Sequence, residues 1–324
     1  MMISRIGVLT SGGDAPGMNA AVRAIVQTAA HHDICVFGIR RGYTGLIESD
    51  LVELSSRAVN RLLPLGGTAL YTARSDEMFT EQGQDKAALT CKQAGIDALV
   101  VIGGDGSFRG ALTLAQRGVN VIGIPATIDN DIACTDYSIG FDTACNTSVE
   151  AVDKLRDTMQ SHARCSVVEV MGRHAGHLAL QVGIAVGATC VLVPERGTDI
   201  EKSVIEPIRR GREKGRHHHI IVVAEGSKCG SANDVASAIE TATGIDARIT
   251  ILGHIQRGGA PSSYDRVVAT NMGAHAVETL VAGRNKRIIA SRGGQVEDID
   301  METGLASKKD LCQTLFQVSR IVTG

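Results

Sequence analysis

A short apolar run that ends in an acid-bearing loop, glycine-rich in two cases, occurs three times in the first 131 residues of this 324-residue chain. Ile6 to Leu9 leads into Thr10-Ser11-Gly12-Gly13-Asp14-Ala15-Pro16-Gly17 and a helical pattern from Met18 to about Ala30. Ala98 to Ile102 leads into Gly103-Gly104-Asp105-Gly106-Ser107 and a helical pattern from Phe108 to Gln116. Val119 to Ile124 stops at Pro125, which has no N–H to give to a ladder, and Ala126-Thr127-Ile128-Asp129-Asn130-Asp131 follow. Apolar runs of this length read as strands buried on both faces. Their alternation with helices predicts an α/β chain with a mainly parallel sheet in a three-layer sandwich. The loops then share the C-terminal edge of that sheet, where open α/β folds bind ligands.

The loop residues suit a phosphorylated ligand. Strand, glycine turn and helix N-terminus offer free N–H groups, the positive end of a dipole, and no Cβ to hold a phosphate off. Asp105 would repel a phosphate unless a cation lay between them, so acid plus glycines points to a magnesium-bound polyphosphate. Asp129 and Asp131 alone read more readily as an Asx-rich turn of solvated acids than as a ligand site; the glycine loop at 103–107 tips the balance. The first loop is not a Walker A loop, because no lysine follows its glycines.

Bulk numbers exclude several classes. With 33 Lys and Arg against 35 Asp and Glu the net charge is −2, without the basic footprint that nucleic-acid binding needs. Eight cysteines without a C-x-x-C pair read as reduced thiols; Cys145 and Cys165 read as small buried hydrophobes. No apolar run reaches membrane-spanning length and the N-terminus carries no signal-peptide pattern, so a cytoplasmic protein with no membrane partner is expected.

Further along, Gly42-Tyr43-Thr44-Gly45 reads as a loop, residues 55–63 as a short helix, and 65–74 as a glycine-led loop ending in Arg74. After Asp131 the pattern restarts. Helices at 142–159, 176–186, 201–214 and 234–243 alternate with strands at 166–170, 189–193, 219–224 and 248–252, a second βα domain. Helix 263–282, strand 287–290 and a short tail close the chain. Arg74, Arg164, Arg173, Arg248 and Arg257 all fall at strand ends or loops, and arginine forks suit phosphate oxygens. His217-His218-His219 lies before an apolar strand. Adjacent strand residues point to opposite faces, so the trio reads as a basic rim with Lys214 and Arg216 more readily than as a zinc site.

Together Asp-Gly-Ser (105–107), Thr-Ile-Asp-Asn-Asp (127–131), Glu-Val-Met-Gly-Arg (169–173) and Leu-Gly-His-Ile-Gln-Arg-Gly-Gly (252–259) resemble the bacterial ATP-dependent 6-phosphofructokinase family. The likeness runs over nearly the whole chain. It implies two Rossmann-like three-layer domains with the active site in the cleft between them. Residues 1–139 and about 254–304 would form the nucleotide-binding domain, and about 140–253 and 305–324 the sugar-phosphate-binding domain. The implied reaction is transfer of the ATP γ-phosphoryl to the 1-hydroxyl of fructose 6-phosphate with Mg²⁺, a glycolytic, allosteric kinase of the cytoplasm that assembles as a homotetramer.

Carried over, Asp129 is the base for the hydroxyl proton, and Asp105 and Asp131 organise Mg²⁺. Gly13, Gly104, Asp105, Gly106 and Ser107 hold ATP, and Arg74 bridges nucleotide and sugar ends. Thr127 and Arg173 flank the transfer. Met171, Gly172 and Glu225 position the sugar, while Arg164, Arg248, His254 and Arg257 hold its 6-phosphate, the first two from a neighbouring subunit. Arg23, Arg156, Lys214 and Arg216 match the family's effector pocket, where Gln27 and Ser56 replace arginines and Thr189 a glutamate. Ala126 replaces a usual glycine, and Ser75 to Thr80, beside the implied adenosine subsite, are expected to lack the usual aromatic and basic residues. Two other readings are a pyrophosphate-dependent enzyme, which usually has Asp at position 106 and Lys at 126, and a non-catalytic phosphosugar sensor, which would lose Asp105 or Asp129.

Overall fold

The computed structural model describes residues 3–197, 199–306 and 308–322. In chain order the elements are β1 (Arg5–Thr10), α1 (Met18–His31), β2 (Cys35–Ile39), α2 (Gly42–Ile47), β3 (Leu51–Leu54), α3 (Ser56–Val59), α4 (Glu81–Gln93), β4 (Ala98–Gly103), α5 (Asp105–Ala115), β5 (Asn120–Pro125) and α6 (Phe141–His162). There follow β6 (Cys165–Val170), α7 (His177–Ala185), β7 (Cys190–Leu192), α8 (Glu206–Glu213), β8 (His219–Ala224), α9 (Ala232–Thr243), β9 (Ala247–Ile251), α10 (Ser263–Val281), β10 (Arg287–Arg292), β11 (Gln295–Asp300), α11 (Met301–Leu305) and α12 (Gln313–Val322).

The chain divides into two compact units. The first comprises residues 1–128, 132–143 and 257–309 and contains a seven-stranded sheet of order β11-β10-β5-β4-β1-β2-β3. Its five inner strands are parallel. Every residue of β4 is buried, as its unbroken apolar run requires of a strand covered on both faces. The edge strands β3 and β11 run antiparallel to their neighbours, so the parallel order expected from strand–helix alternation holds for the inner strands only. On one face α1 and α10 cross closely: a Cβ on Gly273 would stand 2.7 Å from the Ala21 carbonyl oxygen. Leu9, Leu99, Val101, Phe108, Leu114, Val121, Ile288 and Met301 share one apolar core.

The second unit comprises residues 129–131, 144–256 and 310–324. Its four-stranded sheet has the order β7-β8-β6-β9, parallel throughout. Val167, Leu192, Ile208, Ile221, Val223, Val235 and Ile239 form its core.

Three local expectations fail. The stretch 42–45 is not a loop but opens α2. Its glycines are there for close approach: a Cβ on Gly45 would fall 1.6 Å from the Arg40 carbonyl oxygen, and one on Gly42 2.8 Å from that of Thr10. Helix α5 begins at Asp105, three residues before the expected start, so Gly106 and Ser107 lie in its first turn. The tail is neither short nor irregular. Gly293 and Gly294, both at positive φ (55° and 81°), make the two-residue turn that pairs β10 with β11, and two helices follow.

Candidate active site

In the first unit the loops after β1 and β4 are bound to each other. Ser11 N donates to the Ile102 carbonyl at 2.9 Å and Ala126 N to the Gly103 carbonyl at 2.9 Å, so the ends of β1, β4 and β5 are locked side by side. Thr72 Oγ1 donates to the Gly12 carbonyl at 2.7 Å, which ties the stretch just before the exposed Arg74 to the first loop. Buried Tyr43 donates to the Ser107 carbonyl at 2.5 Å and holds the first turn of α5 from below. Ser107 itself is buried against Gly103. At Gly104 and Gly106 a Cβ would meet nothing within 4 Å. Space is therefore left in front of the α5 N-terminus, where its dipole and amides favour an anion.

Arg257 also belongs to this unit. Its Nη1 donates to the Asp14 carbonyl at 2.9 Å, and its guanidinium lies across Gly13, where an added Cβ would come within 2.5 Å of Nη1. The arginine expected at the 6-phosphate thus stands on the loop expected to hold ATP. The stretch Ser75–Thr80 is not without an aromatic: Phe79 is 86% exposed while its neighbour Met78 is buried.

The turn after β5 carries Thr127, half-buried, then Asp129, 7% exposed, and half-buried Asp131. Asn130 between the two acids adopts φ +50°, a backbone strain of the kind that recurs at functional turns. Ser138 Oγ donates to the Thr127 carbonyl at 3.0 Å.

In the second unit the C-terminal ends of β6, β8 and β9 gather the residues expected around the sugar. Met171, Gly172 and Arg173 follow β6, with Gly172 at φ +138° and Arg173 at φ +56°. A Cβ on Gly172 would clash with the Ala175 carbonyl at 2.5 Å. Glu225 follows β8: its N–H donates to the Val170 carbonyl at 2.8 Å, and its carboxylate accepts from Arg173 N at 3.4 Å. His254 lies exposed in a short helical turn after β9. Gln256 was not singled out by sequence, yet it is fully buried and fixes this edge. Its Oε1 accepts from Ser148 Oγ at 3.1 Å and Met171 N at 3.3 Å, and its amide donates to the Gly253 carbonyl at 3.0 Å. Arg164 and Arg248 meet at Asp246.

Among the residues expected in the effector pocket, Arg156 donates to the Val186 carbonyl, and Lys214 and Arg216 follow α8. His219 does not join the basic rim. It is buried in β8, its Nδ1 3.2 Å from Thr189 Oγ1. Burial, then the charge of Arg216, pulls its pKa down to about 4. In the first unit Gln27 Nε2 donates to the Ser56 carbonyl at 3.1 Å and to Asn60 Oδ1 at 3.0 Å, while Arg23 is half-buried on α1. Cys145 and Cys165 are buried, as expected of small hydrophobes. A cavity of about 770 Å³ in the second unit, lined by Arg196, Lys202, Arg210, Phe316 and Arg320, includes Thr189 alone of the residues singled out by sequence.

A parallel α/β chain with glycine- and acid-bearing strand ends defines a nucleotide- or phosphate-handling protein. The chain belongs to the phosphofructokinase family, whose profile matches residues 5–280. It is 49% identical over 318 residues, 98% of this chain and 99% of the relative, to the ATP-dependent 6-phosphofructokinase of Clostridium botulinum (strain Loch Maree / Type A3). It is likewise 49% identical over 319 residues, with the same coverage, to that of Brevibacillus brevis. The structure of phosphofructokinase from Saccharomyces cerevisiae superposes with a TM-score of 0.88 at 36% identity. That match covers 99% of this chain, which spans 48% of the yeast chain's length. A pyrophosphate-dependent phosphofructokinase from Marinobacter aquaeolei, 23% identical, shares the fold with a TM-score of 0.86 over 98% of this chain and 91% of its own.

Proposed function

We propose that this protein phosphorylates D-fructose 6-phosphate at the 1-hydroxyl with ATP, giving fructose 1,6-bisphosphate and ADP in the cytoplasm. The observation that carries the reading is the open space over Gly104 and Gly106 at the N-terminus of α5, in a chain 49% identical along its length to ATP-dependent 6-phosphofructokinases. Asp at 106 and Lys at 126 would narrow and charge that space. Gly106 leaves it open, and Ala126 is 1% exposed, a small apolar residue where a lysine would put a charge.

Gly13 and residues 104–107 receive the ATP phosphates, and Arg74 reaches from nucleotide to sugar. Asp105 and Asp131 suit Mg²⁺, which takes one or two carboxylates and completes its shell with phosphate oxygens and water. When bound, the ion neutralises phosphate charge, the main requirement of phosphoryl transfer. Asp129 accepts the proton of the attacking hydroxyl, with Thr127 and Arg173 beside the transferred group. Met171, Gly172 and Glu225 orient the sugar, and Arg164, Arg248 and His254 bind its 6-phosphate; Arg257, expected beside them, instead braces the Gly13 loop through the Asp14 carbonyl. Arg164 and Arg248 serve a neighbouring subunit's sugar, so the active form is a homotetramer built as a dimer of dimers. Arg23, Arg156, Lys214 and Arg216 remain from an effector pocket.

Incubation of purified protein with fructose 6-phosphate, Mg²⁺ and either ATP or pyrophosphate, with the product identified by phosphorus NMR, tests the reading. Fructose 1,6-bisphosphate formed with ATP and little with pyrophosphate is expected. Comparable kcat/KM with pyrophosphate would make the chain a pyrophosphate enzyme, and no turnover with either donor would leave a phosphosugar sensor.

A further inference from the structure

Asp265 has no part in the chemistry above, yet it is a fully buried carboxylate. It is the third residue of α10, whose N-cap is Ser262. Ser-x-x-Asp at a helix start reads as a capping box, in which the acid returns to the N-cap amide. A closed box of this kind stands at α9, where Asp234 accepts from Ser231 N at 2.8 Å. At α10 only half of it forms. Ser262 Oγ accepts from Asp265 N at 3.2 Å, but Ser262 N donates to Thr143 Oγ1 at 3.0 Å.

The carboxylate is turned instead to the segment 137–143. Oδ1 accepts from Tyr137 Oη at 3.1 Å and Gly140 N at 2.7 Å. Oδ2 accepts from Thr143 N at 2.9 Å and Thr143 Oγ1 at 2.5 Å. Tyr137 Oη also accepts from Asp142 N at 2.6 Å, closing the segment on itself. A buried charge is costly unless hydrogen bonds compensate it, and these four come from one segment. Burial pushes the carboxyl's pKa up against the pull of those donors.

The other side of this segment touches two parts of the proposed site. Ile139 N donates to the Pro125 carbonyl at 3.0 Å, and Ser138 Oγ to that of Thr127 at 3.0 Å. The Ile139 side chain fills the place where a Cβ on Gly17 would stand, 2.7 Å away. Ala15 does the same at Gly140, at 2.6 Å. The segment therefore spaces the first phosphate loop from the end of β5. We propose that Asp265 is a positioning residue for phosphoryl transfer: it anchors residues 137–143, and through them sets Thr127 against the loop Gly12–Gly17. The proposal rests on the function assigned above to those two elements.

Asp265→Asn keeps the volume but aims an amide N–H at donors. The expected result is a folded protein with KM values for ATP and fructose 6-phosphate within about threefold of wild type and kcat lower by about 10- to 100-fold, the cost of a misplacement near 1 Å. Hydrogen exchange should speed up in both 137–143 and 125–128. A carboxylate that only stabilised the fold would lower the melting temperature and leave kcat per folded site and exchange at 125–128 unchanged, and that result overturns the proposal. Should Asp265→Asn fail to fold, Thr143→Val and Tyr137→Phe, which each remove one hydroxyl donor, decide it: several-fold losses in kcat at constant KM support positioning, and native kcat in both refutes it. The exchange arm is independent of activity. A wild type inactive on fructose 6-phosphate would refute the function, and with it the catalytic half of this proposal, while unchanged exchange in an active enzyme would refute the positioning alone.

Discussion

Arg164 and Arg248 are held by a single oxygen: Arg164 Nε lies 2.7 Å and Arg248 Nη2 2.8 Å from Asp246 Oδ2. One acid against two guanidiniums leaves a net positive charge beside β9, which fits a dianionic phosphate. Replacing either arginine by alanine should raise KM for fructose 6-phosphate by about 10- to 150-fold, the value of one charge-assisted hydrogen bond. kcat should change far less, because the 6-phosphate is bound alike in ground and transition states. Steady-state kinetics on each variant check this; an unchanged KM would remove both arginines from the sugar site.

Gly106 separates folding from function. It lies in the first turn of α5 and a Cβ there meets nothing within 4 Å, so Gly106→Ala should leave the melting temperature unchanged or raise it, by up to about 1 kcal/mol of stability. The methyl group would occupy space assigned to phosphate, and kcat/KM for ATP should fall on the order of tenfold or more. A thermal melt and an ATP titration on one variant give both halves.

Effector control should be weak. Gln27 spends its amide on Ser56 and Asn60, and Thr189 is engaged with buried His219. None supplies the cations or the carboxylate found there in the family. Fructose 6-phosphate saturation curves with added ADP or phosphoenolpyruvate, the activator and inhibitor that the family resemblance implies, should shift little, since weak binding leaves little free energy to bias two states. Large half-point shifts at sub-millimolar effector would show a working pocket.

His219 predicts acid sensitivity. Its folded-state pKa, pulled down to about 4, lies below the ordinary histidine value of about 6.5. The neutral form is thus favoured by folding, and its contribution is complete above about 6.5 and lost progressively as pH falls towards 4. His219→Asn, which retains a polar group towards Thr189, should flatten the fall of melting temperature across that window. Parallel slopes for variant and wild type would show that other groups carry the acid response.

Most of the inner sheet was legible because β1, β4 and β5 are apolar runs closed by glycine or proline, a signal that tertiary context does not override. The edges were not. Leu51–Leu54 is only partly buried and carries no period strong enough to stand out, and the β10–β11 hairpin rests on Gly293-Gly294, read as tail. Gly42–Gly45 misled because glycine permits loops and close contacts alike. At the site, Asp129 and the glycine loops announce themselves by residue type. Gln256 and Asp265 do not, since their roles come from partners more than 80 residues away in sequence. The half-used Ser262–Asp265 capping pattern was the one local trace of the latter.

The central claim is that Asp129, 7% exposed in the turn after β5, takes the proton of the 1-hydroxyl. Measuring kcat and both KM values for Asp129→Ser tests it directly. The account predicts a kcat lower by about 10²- to 10⁴-fold with KM values close to wild type, since the carboxylate acts in the transition state. A variant that retained near-native kcat would contradict it.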